Sequence, residues 1–139
     1  MAHPWHHAER SARLFGGVPD DYLAIHNWFD ESKAHLPDVR HRALRHHSEG
    51  IFLCETLFGT TIKNSAGRVI PVRQIGEQHV KDDLGWIPTV KDWLVHLPLQ
   101  SWMTGNSVQR RSVEIPALKG SLNGPDSTAQ AGAALGPGL

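Results

Sequence analysis

The chain has 139 residues, the length of one ordinary domain, and its 14 basic side chains balance 14 acidic ones, so its overall charge favours neither nucleic acid nor a membrane surface. Its single cysteine, Cys54, excludes an intrachain disulfide framework and a cysteine-rich zinc motif. No apolar run reaches the length of a membrane span and the N-terminus lacks the plan of a signal peptide, so we expect a cytoplasmic protein with no membrane partner.

A short amphipathic helix is predicted at the N-terminus, between Pro4 and Gly16. Its apolar residues recur 3 or 4 positions apart, as on one face of a helix: Trp5, Ala8, Ala12 and Phe15. Proline suits a first helical turn, and glycine readily ends a helix. The neighbouring histidines are too scattered for a purification tag, and we expect them on a solvated face: His3, His6 and His7.

A second helix is expected from Pro19 to Leu36, because acidic residues follow Pro19 and because Pro37 disfavours a helical conformation at the residue before it. Its buried stripe is mainly apolar: Tyr22, Ile25, Phe29, Ser32 and Leu36. A separate polar row lies on the same helix, again at helical spacing: His26, Asp30 and Lys33.

The longest predicted element is a third helix, which begins at the capping residue Asp38 and ends at Gly59. Such a helix is roughly 30 Å long, enough to cross a small domain. Its apolar stripe includes one histidine: Leu44, His47, Ile51, Cys54 and Phe58. Its first half is basic, with no acid before Glu49: Arg40, His41, Arg42, Arg45, His46 and His47. We expect the second half to pack and the first half to form a site.

Helices joined by one or two residues form an antiparallel hairpin, here with facing residues whose numbers sum to about 76. This register predicts four packed pairs: Tyr22 with Cys54, Ile25 with Ile51, Phe29 with His47, and Ser32 with Leu44. It also brings two polar rows together: His26 near Glu49, Asp30 near His46, and Lys33 near Arg42. Two independent sets of polar residues therefore converge beside the seam.

Residues 60–63 and 68–73 read as two short strands with a good turn sequence between them, so they predict a small β-hairpin. Pro71 cannot donate to a ladder, which makes the second strand an edge. A lone hairpin is marginal in water and must lie against the helices.

A fourth helix is predicted from Ile75 to Leu84, and a fifth begins after a capping box at Thr89 and ends before Pro98. The fourth presents His79 with acids three and four residues further on: Asp82 and Asp83. The fifth has an apolar face: Val90, Trp93, Leu94 and Leu97.

The composition changes after Met103. Residues 104–139 contain no aromatic residue and are rich in glycine, proline and alanine. Such a segment cannot bury enough apolar surface to offset the entropy of ordering it. We therefore expect a single helical domain, residues 1–103, and a tail, residues 104–139, that is disordered unless a protein partner binds it.

Histidine is unusually frequent, with ten in the chain, and several converge with acids in the predicted hairpin. The candidate ligands of a metal ion are His26, Asp30, His46, His47 and His79. Imidazole and carboxylate together suit a divalent zinc, iron or manganese ion. Because a metal-bound water loses its proton near neutral pH, this pattern permits a metal-dependent hydrolase.

Two further groups of residues belong to that hypothesis. A free carboxylate is needed as general base, and the candidates are Glu77 and Glu49. Three cations are candidates to hold an anionic, phosphate-containing substrate: Lys33, Arg42 and Arg73. The chain lacks the His-Glu-x-x-His and Glu-x-x-His motifs, so no named metal motif supports the assignment.

Ordinary structural roles are open to each of these residues taken singly. His47 on an apolar stripe suits a buried histidine with one hydrogen-bonded nitrogen, and Asp30 suits an ion pair with Lys33 or His46. Three histidines are expected to contribute only to solubility: His35, His41 and His96. These separate roles leave unexplained why the polar rows converge.

Two other function classes remain open. A non-catalytic accessory subunit would dock on a larger assembly through residues 104–139. Nucleic-acid binding has a foothold in the basic residues 40–47, but it ranks third, because interleaved aromatics and a recognised nucleic-acid-binding fold are both missing.

Several segments together resemble a small family of bacterial and phage-borne proteins of unknown function. They are SARLFGG at 11–17, Asp21-Tyr22, Ile25-His26, Ser32-Lys33, RHRAL at 40–44, Phe58-Gly59, Val72-Arg73, and Glu77, His79-Val80 and Asp82-Asp83. The resemblance spans about residues 5–103 and implies no activity, cofactor or catalytic residue. The expected fold is therefore mainly α, a helical hairpin core of four to five helices with a small β-hairpin, followed by the tail.

Overall fold

A computed structural model of the chain describes residues 3–105. The described residues belong to two units, which divide after His96. In the second unit the described part contains a short 3-10 helix, Ser101–Thr104. The expectations for the tail fall, from residue 106 onward, outside the described residues, and the domain boundary at residue 103 stays a prediction. No helix within residues 3–105 combines the length and apolar character needed to cross a bilayer.

The first unit is mainly α-helical with a small antiparallel sheet, which confirms the predicted fold class. Its α-helices are α1 (Pro4–Phe15), α2 (Leu23–Asp30), α3 (Ser48–Phe58), α4 (Val72–Leu84) and α5 (Val90–Leu94). Strands β1 (Thr61–Lys63) and β2 (Val69–Pro71) pair antiparallel, with Ile62 opposite Ile70. Three segments are 3-10 helices: Pro19–Asp21, Glu31–Ala34 and Val39–Leu44.

Local sequence signals account for the ends of several elements. The His3 ring accepts a hydrogen bond from the Trp5 amide at the start of α1, at 3.1 Å. Helix α4 ends at Gly85, whose φ of 84° lies in the left-handed region that glycine adopts most readily. The predicted capping box is present at α5, where Thr89 and Asp92 exchange side chain to backbone hydrogen bonds.

Helix α4 packs against α1, α2 and α3 and so lies at the centre of the unit. The apolar core around it consists of Ala8, Tyr22, Ile25, Phe29, Ile51, Cys54, Ile70, Val72, Ile75 and Val80. At Gly76 a Cβ would lie 3.2 Å from the Phe29 ring and 3.3 Å from Ile51, so a small residue lets α2 and α3 approach α4. Cys54 is a buried core residue, and burial raises the pKa of its thiol to about 12.

The prediction of one continuous third helix from Asp38 to Gly59 is wrong. Asp38 does cap the segment by accepting from the Arg40 amide at 2.8 Å, but only a 3-10 helix, Val39–Leu44, follows it. The chain then leaves the helical conformation, and α3 begins at Ser48. The second helix is also shorter than predicted, because α2 ends at Asp30 and a 3-10 helix continues to Ala34.

The break before α3 has an identifiable cause in His47. This residue is extended, with φ −162° and ψ 171°, and its Nδ1 accepts from the Gly50 amide at 2.9 Å. The ring therefore caps α3 instead of lying on its apolar stripe. Helical spacing does not distinguish a histidine inside a helix from one that caps it, so the sequence pattern joined two separate segments.

The break changes the register of the predicted hairpin. Ile25 and Ile51 share the core as expected, and Asp30 does meet His46 at 3.6 Å. Ser32, however, contacts His41 rather than Leu44, through a 2.8 Å bond to the ring Nδ1. His41 is thus buried rather than solvated, and Leu44 is exposed. The predicted register therefore fails for the residues of the 3-10 helix Val39–Leu44.

Gly50 provides a direct test of this break. A Cβ at position 50 would lie 1.8 Å from the backbone carbonyl oxygen of Arg45, so Gly50→Ala forces the chain before α3 to move. We expect a loss of about 1–3 kcal/mol or more in the free energy of unfolding, measured by urea denaturation. The matched control is Thr56→Ala on an exposed face of α3, which should leave stability within about 0.5 kcal/mol. If Gly50→Ala is neutral or stabilising, as alanine's higher helix propensity alone would predict, then the close approach is wrong.

Candidate metal centre

Four buried side chains converge on one point in the first unit, and each offers a metal-ligand atom: Asp30, His46, His79 and Asp83. Asp30 lies at the end of α2, and His46 lies in the break before α3. His79 and Asp83 are four residues apart on α4, so they project from the same face of that helix. Three segments that are distant in sequence therefore supply the cluster.

The separations within this set are those expected around a bound metal ion. His79 Nε2 lies 3.4 Å from Asp30 Oδ1 and 3.3 Å from Asp83 Oδ2. His46 Nε2 lies 3.6 Å from Asp30 Oδ1 and 3.0 Å from Asp83 Oδ2. Two ligand atoms that each bind a tetrahedral metal at about 2.0–2.1 Å lie roughly 3.3 Å apart. The four atoms therefore have the spacing of a coordination shell.

Several of these atoms are buried without a directed hydrogen bond. Both carboxylate oxygens of Asp30 and Nε2 of His79 have no hydrogen-bond partner among the described residues. A buried carboxylate that accepts no directed hydrogen bond has lost its hydration, and it depends on nearby positive charge to offset that cost. For Asp30 the nearest such groups are the imidazoles of His79 and His46, and the same atoms could hold a metal ion.

Electrostatics shows how the cluster is balanced by protons alone. Burial opposes ionisation of Asp83, but its contacts with His46, His7 and His79 outweigh this and hold its pKa well below the ordinary value. Asp30 behaves similarly, because His79 lowers its pKa against the effect of burial. Burial likewise opposes protonation of His79, yet the two carboxylates raise its pKa. Burial lowers the pKa of His46 to about 4 despite Asp83 beside it.

A second group of imidazoles adjoins the first and shares His79: His7, His26 and His79. His26 Nδ1 lies 2.9 Å from His79 Nδ1, and the two rings are stacked with centroids 5.1 Å apart. His26 is therefore on the opposite side of the His79 ring from the two carboxylates. Its other nitrogen, Nε2, lies 2.7 Å from the Ser11 hydroxyl.

The expectation that His7 lies on a solvated face is wrong. Its ring is buried, with Nε2 3.2 Å from Asp83 Oδ1 and Nδ1 3.4 Å from Asp82 Oδ2. Asp82 is also held by Arg10, at 3.0 Å. Helix α1 turns this histidine inward together with Ala8 and Ser11, and polar residues on a buried face give no apolar signal in the sequence.

Two residues of the predicted site lie outside these clusters. His47 caps α3, and its Nε2 lies 3.1 Å from the Ala43 carbonyl oxygen, so both ring nitrogens are occupied by backbone. Glu49 is exposed and accepts from the Val90 amide at 2.8 Å. Its predicted neighbour His26 instead contacts Ser11 and His79.

The candidate base and the candidate anion-binding residues are dispersed. Glu77 points away from the cluster and pairs with exposed Arg73 at 3.8 Å, one helical turn apart. Lys33 lies in the 3-10 helix after α2 and is half-buried. Arg42 alone reaches the cluster, with Nη2 3.6 Å from Asp83 Oδ1. A guanidinium at that place adds positive charge at the edge of the site.

The structure thus brings together four of the five predicted ligands, His26, Asp30, His46 and His79, and adds Asp83 and His7. Asp83 could be identified from the sequence, because a histidine and an aspartate four residues apart lie on the same face of a helix. His7 could not be identified in this way, because the apolar residues that predict α1 do not show whether a polar residue of that helix is buried.

Comparison with known proteins supports the family but no activity. Residues 2–103 match a family described as a domain of unknown function, DUF6915. The chain belongs to this family. The match covers the helical unit and the whole His/Asp cluster, which agrees with the resemblance noted in the sequence. No curated protein and no solved structure matches the chain.

The role of Asp83 is testable without any metal. Its carboxylate contacts three imidazoles, so Asp83→Asn in the presence of a chelator removes the negative charge that these buried rings face. Breaking a buried ion pair on one side costs about 3–5 kcal/mol in the free energy of unfolding, measured by urea denaturation. The control Asp20→Asn, at an exposed position, should leave the midpoint unchanged. Equal stability of the two variants would show that Asp83 does not hold the cluster together.

Proposed function

We propose that this domain binds one divalent transition-metal ion through Asp30, His46, His79 and Asp83. The observation that carries the proposal is that Asp30 Oδ1 and His79 Nε2, both buried and without a hydrogen bond, lie 3.4 Å apart, with His46 Nε2 and Asp83 Oδ2 beside them at similar separations. A metal ion bonds to all of these lone pairs at once. A single proton on His79 cannot, because it forms one directed hydrogen bond at a time.

The ligand set favours particular metals. Two imidazole nitrogens and two carboxylate oxygens suit zinc, iron and manganese, whereas magnesium and calcium prefer oxygen alone and copper(I) prefers sulfur. Four protein ligands in a buried position suit tetrahedral zinc best. The ion would then link α2, the segment before α3, and α4.

A metal-dependent hydrolase acting on an anionic, phosphate-containing substrate is the catalytic form of this proposal. Arg42 supports it, because a guanidinium at the edge of the site can hold a phosphate oxygen. The closed ligand set argues against it, since a catalytic metal keeps a position open for water or substrate. Hydrolysis would therefore require the ion to accept a fifth ligand.

The alternative is a non-catalytic accessory subunit, stabilised by its metal and docked on a larger assembly through residues 104–139. One observation favours an interaction role: α3 exposes three large apolar side chains, Phe52, Leu53 and Leu57. Exposed apolar patches on a monomer are typical of contact surfaces. A closed structural metal also fits this reading better than the catalytic one.

Metal content tests the proposal directly. The full chain, purified without chelator or affinity histidines, should contain about one zinc, iron or manganese per molecule by elemental analysis. His79→Ala and Asp30→Ala should each release the ion, because each removes a ligand atom. The matched controls are His35→Ala and His96→Ala, which remove exposed imidazoles and should leave the content unchanged. A metal-free wild-type protein that takes up none of these ions would refute the site.

The presence or absence of turnover separates the two functions. Protein loaded in turn with zinc, iron or manganese is assayed with p-nitrophenyl phosphate and bis(p-nitrophenyl) phosphate. A hydrolase should release nitrophenol only when metal is bound, and Arg42→Ala should raise KM more than it lowers kcat if Arg42 holds the phosphate. A fully loaded protein that hydrolyses neither ester would favour the accessory subunit.

A further inference from the structure

His26 lies beside the proposed metal centre, but each of its ring nitrogens already has a hydrogen-bonding partner. Nδ1 is 2.9 Å from His79 Nδ1, and Nε2 is 2.7 Å from Ser11 Oγ. Ligation by His26 would require one of these bonds to break inside a fully buried cluster. Gln78 determines which group is the donor and which is the acceptor in each of these hydrogen bonds.

Gln78 on α4 fixes the first direction. Its side-chain Nε2 donates to the His7 carbonyl oxygen at 3.1 Å and to Asp82 Oδ2 at 3.0 Å. Both partners can only accept, so the amide cannot be turned around. Its Oε1 therefore faces the Ser11 hydroxyl, and because a carbonyl oxygen only accepts, Ser11 must donate to it.

The remaining directions follow from counting protons. The Ser11 hydroxyl has one hydrogen, and its two other neighbours, Gln78 Oε1 and the His7 carbonyl oxygen at 3.2 Å, can only accept it. Its oxygen therefore accepts from His26 Nε2. A neutral imidazole carries one proton, which leaves His26 Nδ1 bare. The His26 ring is fully buried, and the partners of its two nitrogens, Ser11 and His79, carry no negative charge, so burial keeps the ring neutral. Bare Nδ1 then accepts from Nδ1–H of His79.

We infer that Gln78, Ser11 and His26 form a hydrogen-bond relay that keeps a proton on Nδ1 of His79 and so presents its Nε2 lone pair to the metal ion; the inference rests on the proposed metal function. His26 is then a positioning residue rather than a ligand. The relay acts on His79, which together with His46 directs its Nε2 at both carboxylates.

The relay also orients the His79 ring. The ring stacks on Phe29 with centroids 4.8 Å apart and planes 19° apart, which fixes its plane. The bond from Nδ1 to His26 fixes the rotation within that plane. Partners of this kind behind a ligating histidine typically change metal affinity 10–100-fold when removed. Loss of the relay is therefore expected to weaken binding without changing the number of ions bound.

A matched pair of variants at position 26 tests the relay in the full chain. Asparagine and leucine have similar volumes, but only asparagine offers an oxygen near the place of Nδ1. His26→Leu should weaken Zn²⁺ binding 10–100-fold at an unchanged ratio of one ion per chain, in competition with a chromogenic chelator. His26→Asn should bind within a few-fold of wild type. Complete loss of zinc in both variants would make His26 a ligand, and wild-type affinity in His26→Leu would make it irrelevant; either result overturns the relay.

A spectroscopic measurement keeps the test independent of how the variants fold. Long-range proton–nitrogen correlation spectra of the wild-type protein report which ring nitrogen carries the proton. His26 should carry it on Nε2 with and without Zn²⁺, and zinc-loaded His79 should carry it on Nδ1. Ser11→Ala, a small change, should lower zinc affinity and mix the two tautomers of His26. His26 protonated on Nδ1 in the wild type overturns the relay even if zinc binds, whereas a wild type that binds no zinc overturns the metal site instead.

Discussion

The first unit is organised around two aspartates that the fold removes from water and directs at two imidazoles, those of His79 and His46. Asp30 and Asp83 each lie within about 3.5 Å of His79 Nε2, and both side chains are almost fully buried. Two buried carboxylates at this separation repel each other and lose hydration, a cost that only nearby positive charge offsets. The surroundings provide it in layers: His79 between them, His46 and His7 against Asp83, and Arg42 at the edge. Nearly every unusual feature of the unit can be traced to this requirement.

The interruption before α3 is one such feature. His46 can direct its ring at Asp83 only because the chain leaves the helical conformation there, and the backbone groups released by the break find other partners. The His46 carbonyl oxygen accepts from the Trp93 indole at 3.0 Å, and the Ser48 amide donates to the Pro88 carbonyl at 2.8 Å. Glycine at position 50 allows the returning chain to touch the first turn of α3. Residues on both sides therefore stabilise the break, and the break positions His46 for its contact with Asp83.

These same residues show what the sequence could and could not predict. The extent of α1, the end of α4 at Gly85, the β-hairpin and the α5 capping box follow from local signals that act within a few residues, and each is predictable. The start of α4 is not, since the helix begins at Val72 and not at the predicted Ile75. The meeting of Asp30 with His46 was also predicted, from the register of two helices, although only one of the two is helical at that point. The break at His47 and the burial of His7 and His41 were missed. Helical periodicity records which residues are apolar, and it contains no information about polar residues that are buried because they bind one another.

The interior consequently has two parts of different character, with Phe29 at their junction. One part is an ordinary apolar core, and the other is a group of rings and carboxylates whose stacking on Phe29 continues the packing without a gap. A unit of this size buries a limited apolar area, so the polar part cannot be energetically neutral if the fold is to be stable. Its ligand atoms come from α2, the segment before α3, and α4, and an ion bound by all of them exists only when these segments are docked. The binding energy of such an ion would therefore be folding energy for the whole unit. A proton on His79 would replace the ion's charge, but it would not replace the simultaneous bonds of the ion to four ligands.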